Sequence, residues 1–478
     1  MIVLYIILAV LVLLLAVVLL RTAAFHPKAE AFRTYAPVEF DREAAVTNLQ
    51  QLIRCRTVSY TDAAKEDPAE FEKLIALLPE LYPHVYEKCT LTRLPDRGLL
   101  FYWAGKAHDE ASVLMAHFVV VPVEEENWKK PPFEGIIEDG VLWGRGTLDT
   151  KVTFNGVLTA ADHLIAQGFQ PEQDVYFAFS GQEEINGPGA TNIVHWFQEH
   201  NINIQLVVDE GGAVVEDVFP GVKQPCALIG IAEKGMMNLE YSVSSAGGHA
   251  SAPKPHTPVG VLADACCKVE NHPFAMHITA PAAKMFDTLG RHSTFLYRMI
   301  FANLWLFGGV LDNLCKKQGG ELNALMRTTV AFTQMQGSKA SNVIPPSASM
   351  VSNMRLNPAD TMDSAMEYIR GVIGNDAVKL RCVEGMNPSP ISETDCPAWD
   401  KVASAVAGTW QGSLVSPYLM VQCSDSRHYG PVSNHVYRFS AMDLTAEERS
   451  TIHGNNERIR TEVIGRAVEF YIRLMSQC

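Results

Sequence analysis

Short apolar runs alternate with amphipathic stretches along most of the chain from about Phe40 onward, a pattern typical of an α/β sheet. Three of the runs, at residues 112–116, 175–179 and 206–208, are predicted to be buried strands. Residues 151–167 carry apolar side chains at helical spacing and stop at a glycine, which predicts a helix after the first strand.

Polar residues follow the C-terminal end of each predicted strand. His117 follows the first strand, Glu183 and Glu184 come shortly after the second, and Asp209 and Glu210 follow the third. Ligands of open α/β sheets bind at this edge. We therefore expect these side chains to lie close together.

The pattern changes near residue 235. Strands predicted at 239–243, 348–356 and 378–382, with a helix at 361–372, indicate a smaller α+β domain inserted at about residues 236–386. The sheet of the first domain then resumes near Asn387. The chain is thus divided into an N-terminal segment (1–24), a first part of the main domain (25–235), the insertion, and a second part of the main domain (387–478).

The first twenty residues are different in kind. Residues 2–20 are apolar and uncharged, and Arg21 follows them. As a helix this run would be about 28 Å long, which is enough to cross the hydrocarbon core of a membrane. A cleaved signal usually has a basic start and a shorter apolar run, so we favour a retained single-pass anchor over a removed signal. Arg21 and Lys28 follow the run, which is too little charge to fix the orientation.

A second apolar stretch, at residues 295–311, falls inside the insertion. Arg298, Asn303 and a pair of glycines argue against another membrane span. Either the stretch forms helices that pack the core of the insertion, or it provides an apolar wall for a fatty acyl chain or a patch on a membrane surface.

Composition narrows the class of protein. At 478 residues the chain is too long for one ordinary hydrophobic core, which favours two domains. Its hydrophobic fraction of 47% is that of a globular protein. The net charge of −14 excludes a nucleic-acid partner, because the phosphate backbone would repel this surface.

The chemistry rests on carboxylates and imidazoles that recur along the chain. A pair of metal ions needs several such groups converging, and they occur in order: His117, Asp149, Glu183, Glu184, Asp209, Glu210 and His453. Taken alone, each has an ordinary explanation; Asp149, for example, precedes a predicted helix and could be its N-cap.

The ordered motifs resemble the zinc aminoacylase and carboxypeptidase S family, most closely its N-fatty-acyl-amino-acid synthase/hydrolase branch, over nearly the whole chain after residue 24. The motifs that carry the resemblance are HFVVVP at 117–122, GRGTLDTK at 144–151, QEE at 182–184, DEGG at 209–212, AEKG at 232–235, GGHASA at 247–252, NVIPP at 342–346, SDSR at 424–427 and IHG at 452–454.

The resemblance implies a mixed-sheet, di-zinc aminopeptidase-like catalytic domain with an inserted ferredoxin-like lid that can form a homodimer. It implies two Zn²⁺ ions, although Co²⁺ or Mn²⁺ would fit the ligand types. His117 would bind one ion and His453 the other, with Asp149 bridging them, Glu184 completing one site and either Asp209 or Glu210 the other.

The resemblance also assigns groups that act on the substrate, an N-acyl amino acid or a peptide. Glu183 would be the general base, His249 of the lid would stabilise the oxyanion, across a dimer or within one chain, Asn342 would hold the substrate, and Arg427 would bind its free carboxylate.

One position departs from the family pattern. Val119 stands where an aspartate is expected to orient the first zinc histidine, and loss of such a partner typically costs about 10- to 100-fold in metal affinity or activity.

The sequence leaves three hypotheses for the function. The first is an amidohydrolase of N-acyl amino acids with long acyl chains, which also catalyses the reverse reaction. The second is a carboxypeptidase or dipeptidase of short peptides, and the third is a metal-binding protein in which Val119 has impaired catalysis.

Overall fold

The structure, a computed structural model, describes residues 1–28 and 35–478. Helix α1 begins the chain and is long and apolar enough to cross a membrane, judged by length and composition, and it is largely exposed. The helices are α1 (Ile2–Ala24), α2 (Arg42–Ile53), α3 (Pro68–Leu81), α4 (Pro83–Lys88), α5 (Lys151–Ala166), α6 (Gly189–Glu199), α7 (Pro258–Asn271), α8 (Ala280–His292), α9 (Phe295–Ala302), α10 (Leu304–Gln318), α11 (Gly320–Met326), α12 (Met362–Ile373), α13 (Pro397–Thr409), α14 (Ala446–Arg449) and α15 (Thr461–Met475).

The central layer is an eight-stranded mixed sheet in the order β1-β2-β6-β3-β7-β16-β8-β15. Strands β3, β6, β7 and β16 run parallel to their neighbours in this group, so their C-terminal ends share one edge. The expected mixed α/β architecture is confirmed. The strands are β1 (Thr90–Leu94), β2 (Gly98–Trp103), β3 (Ala111–His117), β6 (Asp174–Ser180), β7 (Ile204–Val215), β8 (Cys226–Glu233), β15 (Leu414–Met420) and β16 (Val436–Leu444).

A second, four-stranded antiparallel sheet lies in the order β11-β13-β9-β14, with α7 and α12 packed against it. Its core is formed by buried side chains such as Leu239, Met350 and Ile369. Two small sheets complete the fold: β10 with β12, and β17-β5-β4. These strands are β4 (Ile136–Glu138), β5 (Val141–Trp143), β9 (Gly235–Ser244), β10 (Gly248–His249), β11 (Thr329–Gln336), β12 (Val343–Ile344), β13 (Ser347–Leu356), β14 (Lys379–Met386) and β17 (Arg458–Arg460).

The main core lies between the central sheet and a helical layer in which α5 packs against α15, α2 and α4. Helix α5 is buried along almost all of its length, and Gly156 allows the ring of Tyr471 on α15 to approach closely. This packing fixes the start of α5 directly below the polar edge of the sheet.

One strand differs from its predicted length. Strand β7 does not stop at Asp209 but continues to Val215, pairing with β16 and β8. Gly212 explains the extension, because a Cβ there would lie 1.9 Å from the carbonyl oxygen of Leu228 on β8. The glycines thus allow two strands to approach closely and do not end the strand.

Candidate metal centre

His117 ends β3 at the polar edge of the central sheet and is almost completely buried. Its Nε2 atom lies 3.0 Å from Asp149 Oδ1 and 3.1 Å from Glu210 Oε1. Its other nitrogen, Nδ1, donates a hydrogen bond of 3.0 Å to the backbone carbonyl oxygen of Val119. That bond fixes the tautomer that leaves Nε2 free to bind a cation.

The backbone of Val119 thus offers His117 an acceptor, although the valine side chain lacks the expected carboxylate. The valine side chain is buried in the apolar core, but the carbonyl group of the same residue supplies the acceptor. A backbone carbonyl is one of the usual partners of metal-binding histidines.

Asp149 connects two clusters of candidate ligands. Its Oδ2 atom lies 2.9 Å from His453 Nε2, and Glu184 Oε2 lies 3.1 Å from the same nitrogen. One carboxylate oxygen of Asp149 thus faces each histidine. Asp149 is not the N-cap of α5, since Thr150 occupies that position.

In each of the pairs Glu183–Glu184 and Asp209–Glu210, the two neighbouring side chains point in different directions. Glu183 Oε2 lies 3.9 Å from His117 Nε2, whereas Glu184 faces His453. Of the second pair, Glu210 faces His117, and Asp209 turns away to accept a hydrogen bond of 2.9 Å from the backbone N–H of Ser426. The geometry therefore favours Glu210 over Asp209 as a candidate ligand.

The cluster contains more carboxylates than imidazoles, and its carboxylates are largely shielded from water. Burial raises the pKa of Glu183 and of Glu210. Hydrogen bonds to Asp149 and Glu184 raise the pKa of His453 to about 10. Burial opposes ionisation of Asp149, but the two histidines hold its pKa below the ordinary value. Each imidazole thus takes the place of a cation between carboxylates.

The residues fit a pair of metal ions. Among residues 1–28 and 35–478, no lysine or arginine forms an ion pair with Asp149, Glu183, Glu184 or Glu210. Glu184 Oε1 is buried without a hydrogen-bond partner. Histidine and carboxylate donors arranged around one shared aspartate would hold two cations, one beside each histidine.

A buried ion pair between Arg145 and Glu457, which was not predicted from the sequence, joins the loop that carries Asp149 to the loop that carries His453. Glu457, fully buried, accepts hydrogen bonds from the backbone N–H groups of Leu148 (2.7 Å) and Asp149 (3.3 Å) and pairs with Arg145 at 2.8 Å. Arg145 also donates to the carbonyl oxygen of Gly454 at 2.8 Å. The same guanidinium donates a longer hydrogen bond, 3.4 Å, to the carbonyl oxygen of His453, whose backbone lies in the left-handed region at φ 58°.

A second buried network orients the loop that carries Arg427. Glu233 accepts hydrogen bonds from Arg438 (2.7 Å) and from the hydroxyl groups of Ser424 (2.9 Å) and Ser426 (3.0 Å). Arg427 then extends toward Asn186, donating a hydrogen bond of 2.7 Å. Burial opposes the charge of Arg427, but Cys423, Asp425 and Glu183 nearby raise its pKa.

His249 and Asn342 lie together but apart from this cluster. His249 ends strand β10, and Asn342 directly precedes strand β12, where its carbonyl oxygen accepts a hydrogen bond from the N–H of Ala250. Both are exposed, and His249 contacts Ser251 at 2.7 Å. No hydrogen bond or ion pair of the described residues connects either one to the histidine–carboxylate cluster.

A cavity of about 410 Å³ opens beside the cluster. Asp149 and Glu210 form one part of its wall. The remainder is mainly apolar and includes Leu148, Val215, Leu228, Met420, Met442 and Ile452. Such a cavity accepts an apolar group next to the candidate metal ligands.

The fold and the cluster define a class: a metallohydrolase with two adjoining cation sites at the edge of an α/β sheet. Residues 113–477 match the model of peptidase family M20/M25/M40, and the chain belongs to that family.

Two relatives are similar over almost the whole chain. The N-fatty-acyl-amino acid synthase/hydrolase PM20D1 of Xenopus tropicalis is 35% identical over 445 residues, covering 91% of this chain and 86% of that protein. The probable carboxypeptidase S-like 2 of Dictyostelium discoideum is 32% identical over 470 residues, covering 95% and 90%. The resemblance drawn from the motifs is confirmed.

The fold is shared with an M20 family metallo-carboxypeptidase, Sso-CP2 of Sulfolobus solfataricus, with a TM-score of 0.67 at 15% identity, covering 91% of this chain and 98% of that one. Together with the family, these similarities show that the chain is an enzyme, a hydrolase of amide or peptide bonds.

Proposed function

We propose that the enzyme is a two-zinc amidohydrolase that cleaves, and in reverse forms, the amide bond of N-acyl amino acids with long acyl chains. The observation that carries this proposal is the apolar cavity beside Asp149 and Glu210, which fits an acyl chain better than a polar peptide. The N-fatty-acyl-amino acid relatives support the same substrate class.

His117 and Glu210 would hold one ion, His453 and Glu184 the other, and Asp149 both. Mixed imidazole and carboxylate ligation favours Zn²⁺, and Co²⁺ or Mn²⁺ would also suit these donors. When bound, the ions polarise the scissile carbonyl and lower the pKa of a water molecule to about 7.

Glu183 is the proposed general base. Its Oε2 atom lies 3.9 Å from His117 Nε2, farther than the nearest oxygens of Asp149 and Glu210 at 3.0 and 3.1 Å, so it could contact water beside that ion without being the nearest ligand. It would take a proton from the water and give it to the leaving nitrogen. Burial raises its pKa, which strengthens the carboxylate as a proton acceptor.

Arg427 is the proposed partner of the free carboxylate of the substrate. A guanidinium group can bind a carboxylate through two parallel hydrogen bonds. Its side chain is partly exposed, its loop is fixed by the buried Glu233 network, and it is close enough to Glu183 for the two charges to interact.

His249 and Asn342 are proposed to act from a second copy of the chain. Both are exposed, one at the end of β10 and the other just before β12, and within the described residues neither contacts the cluster of the same chain. In a homodimer formed through the inserted lid, residues 236–386, these two residues would complete the partner's site. His249 would stabilise the oxyanion and Asn342 would hold the substrate.

We propose that α1 is a retained anchor and not a cleaved signal. Arg21 donates hydrogen bonds of 3.2 and 3.1 Å to the carbonyl oxygen of Ala302, and the guanidinium of Arg291 stacks on Phe25. These contacts join the end of α1 to the folded enzyme. Mass measurement of the N-terminus of membrane-extracted protein tests this: an intact residue 2 supports the anchor, and a start beyond residue 20 refutes it.

The substrate proposal is tested by amino-acid release from oleoyl- and acetyl-linked amino acids and from dipeptides by the zinc-loaded enzyme. We expect the oleoyl substrate to be preferred. Glu183→Gln should abolish release, whereas Glu126→Gln, at an exposed position, should have no effect. Cleavage of dipeptides alone would refute the acyl substrate.

The carboxypeptidase alternative is favoured by one finding, the carboxypeptidase S-like relative. The dipeptide arm of the same assay decides between them. Against the metal-binding, non-catalytic alternative, the carbonyl group of Val119 is an acceptor for His117, and the Glu183→Gln comparison tests that alternative.

A further inference from the structure

Helices α9 and α10 carry several large apolar side chains that are exposed on the outside of the enzyme. Trp305 is 56% and Val310 66% exposed, and Leu306 and Leu314 are also exposed. Leu306, Val310 and Leu314 recur every fourth residue, so they form one stripe along α10. Phe295, Leu296 and Tyr297 extend the surface onto α9. We call this set the α9–α10 face.

The α9–α10 face is joined to the end of α1. Asn303, between the two helices and fully buried, donates to the carbonyl oxygen of Val18 (3.3 Å) and to the hydroxyl group of Thr22 (3.2 Å). Arg21 reaches the carbonyl oxygen of Ala302. The apolar surface of α1 therefore continues into that of α9 and α10.

These contacts fix the depth of the face relative to a membrane. Val18 lies inside the uncharged run of α1, and Arg21 is its first charge. If α1 spans a bilayer, the residues that contact Val18 and Thr22 lie at the boundary of the hydrocarbon. Trp305 follows Asn303 by two residues, and tryptophan is enriched at this level of membranes.

We propose that the α9–α10 face lies in the interfacial layer of the phospholipid bilayer that α1 spans, as a second membrane contact. Its apolar side chains enter the headgroup boundary, as those of interfacial helices do. This inference rests on the proposed anchor and not on the proposed reaction.

The contact would also bring the cavity to the bilayer. Helix α10 is followed at once by α11, and Gly320, Glu321 and Ala324 of α11 line the cavity beside Asp149 and Glu210. A substrate with a fatty acyl chain dissolved in the bilayer would then reach the site without crossing water.

Trp305 offers a direct probe, since the other tryptophans of the chain are buried or half-buried. Full-length enzyme is reconstituted into phosphatidylcholine vesicles whose acyl chains are either plain or brominated, and flotation first establishes that it binds them. We expect brominated lipid to quench tryptophan emission, and Trp305→Phe to remove most of the quenched signal.

The matched control moves the probe to another exposed apolar position. Ile137 is 42% exposed on β4, so Ile137→Trp in the Trp305→Phe background should show no added quenching. The added charge of Val310→Glu should reduce quenching of Trp305 while the protein still floats with the vesicles.

Floating protein in which brominated lipid leaves Trp305 unquenched would overturn the proposal, including the case in which a second copy of the chain covers the face. Failure to float would overturn the anchor and the face together. Neither readout depends on catalysis, so loss of the proposed reaction would not be mistaken for loss of the membrane contact.

Discussion

Glu457→Gln is expected to weaken both the fold and the metal centre. The glutamine carbonyl can still accept the N–H groups of Leu148 and Asp149, which Glu457 Oε1 accepts at 2.7 and 3.3 Å. The new amide nitrogen, however, would face Arg145 Nη1, which lies 2.8 Å from Oε2. Two donors would then meet where an ion pair stood.

The size of the effect follows from burial. Arg145 is 2% exposed and Glu457 0%, so the substitution leaves a buried guanidinium without its counter-charge. Breaking a buried pair in this way costs about 3–5 kcal/mol. Since Asp149 and His453 are both positioned through this pair, zinc affinity should fall by about 10- to 100-fold.

Two measurements check this prediction: urea denaturation of the metal-free protein, and zinc affinity by chelator competition. Glu462→Gln is the matched control, because Glu462 forms an exposed pair with Arg460 at 2.7 Å, and such pairs contribute about 0–1 kcal/mol. If the Glu457 variant matched the Glu462 variant in both stability and zinc affinity, the positioning argument would be refuted.

Three further predictions concern other groups. Val119→Asp should not raise turnover, because a backbone carbonyl already orients His117, and a buried polar side chain should destabilise the fold by about 1–3 kcal/mol; a large gain in kcat would contradict this. Burial lowers the pKa of Lys234 to about 7 from 10.5, so the unfolded chain binds more protons between these values and stability rises with pH there, by at most about 1.4 kcal/mol per pH unit. Denaturation across that window should show a shallower rise for Lys234→Met, and an unchanged slope would refute the assignment. Zinc must displace the proton that His453 holds up to about pH 10, so calorimetry in buffers of different ionisation enthalpy should detect proton release and an affinity that rises with pH; binding without proton release would be inconsistent with it.

The parts of the structure that follow from local pattern could be predicted from the sequence. The strands that end near His117 and Glu183 are buried on both faces, and such strands appear in the sequence as uninterrupted apolar runs. Helix α5 likewise follows from its spacing of apolar residues. The common edge then follows from parallel pairing of the strands.

Features that depend on distant parts of the chain could not be read in this way. Arg145 and Glu457 are 312 residues apart and look like ordinary surface charges in the sequence; only the fold buries them together. The only available signal was an acidic residue four positions after His453.

Backbone groups were the other source of error. Val119 was judged by its side chain, although the functional atom is its carbonyl oxygen. The third strand was predicted to end at the polar pair Asp209 and Glu210, although it continues through Gly212, where β7 approaches β8 closely.

Anomalous diffraction at the zinc edge from crystals of the zinc-loaded enzyme would reveal whether two cations share Asp149. We expect two peaks per chain, one contacting His117 and Glu210, the other contacting His453 and Glu184, with Asp149 contacting both. A single peak, or peaks away from Asp149, would refute the proposed two-metal site.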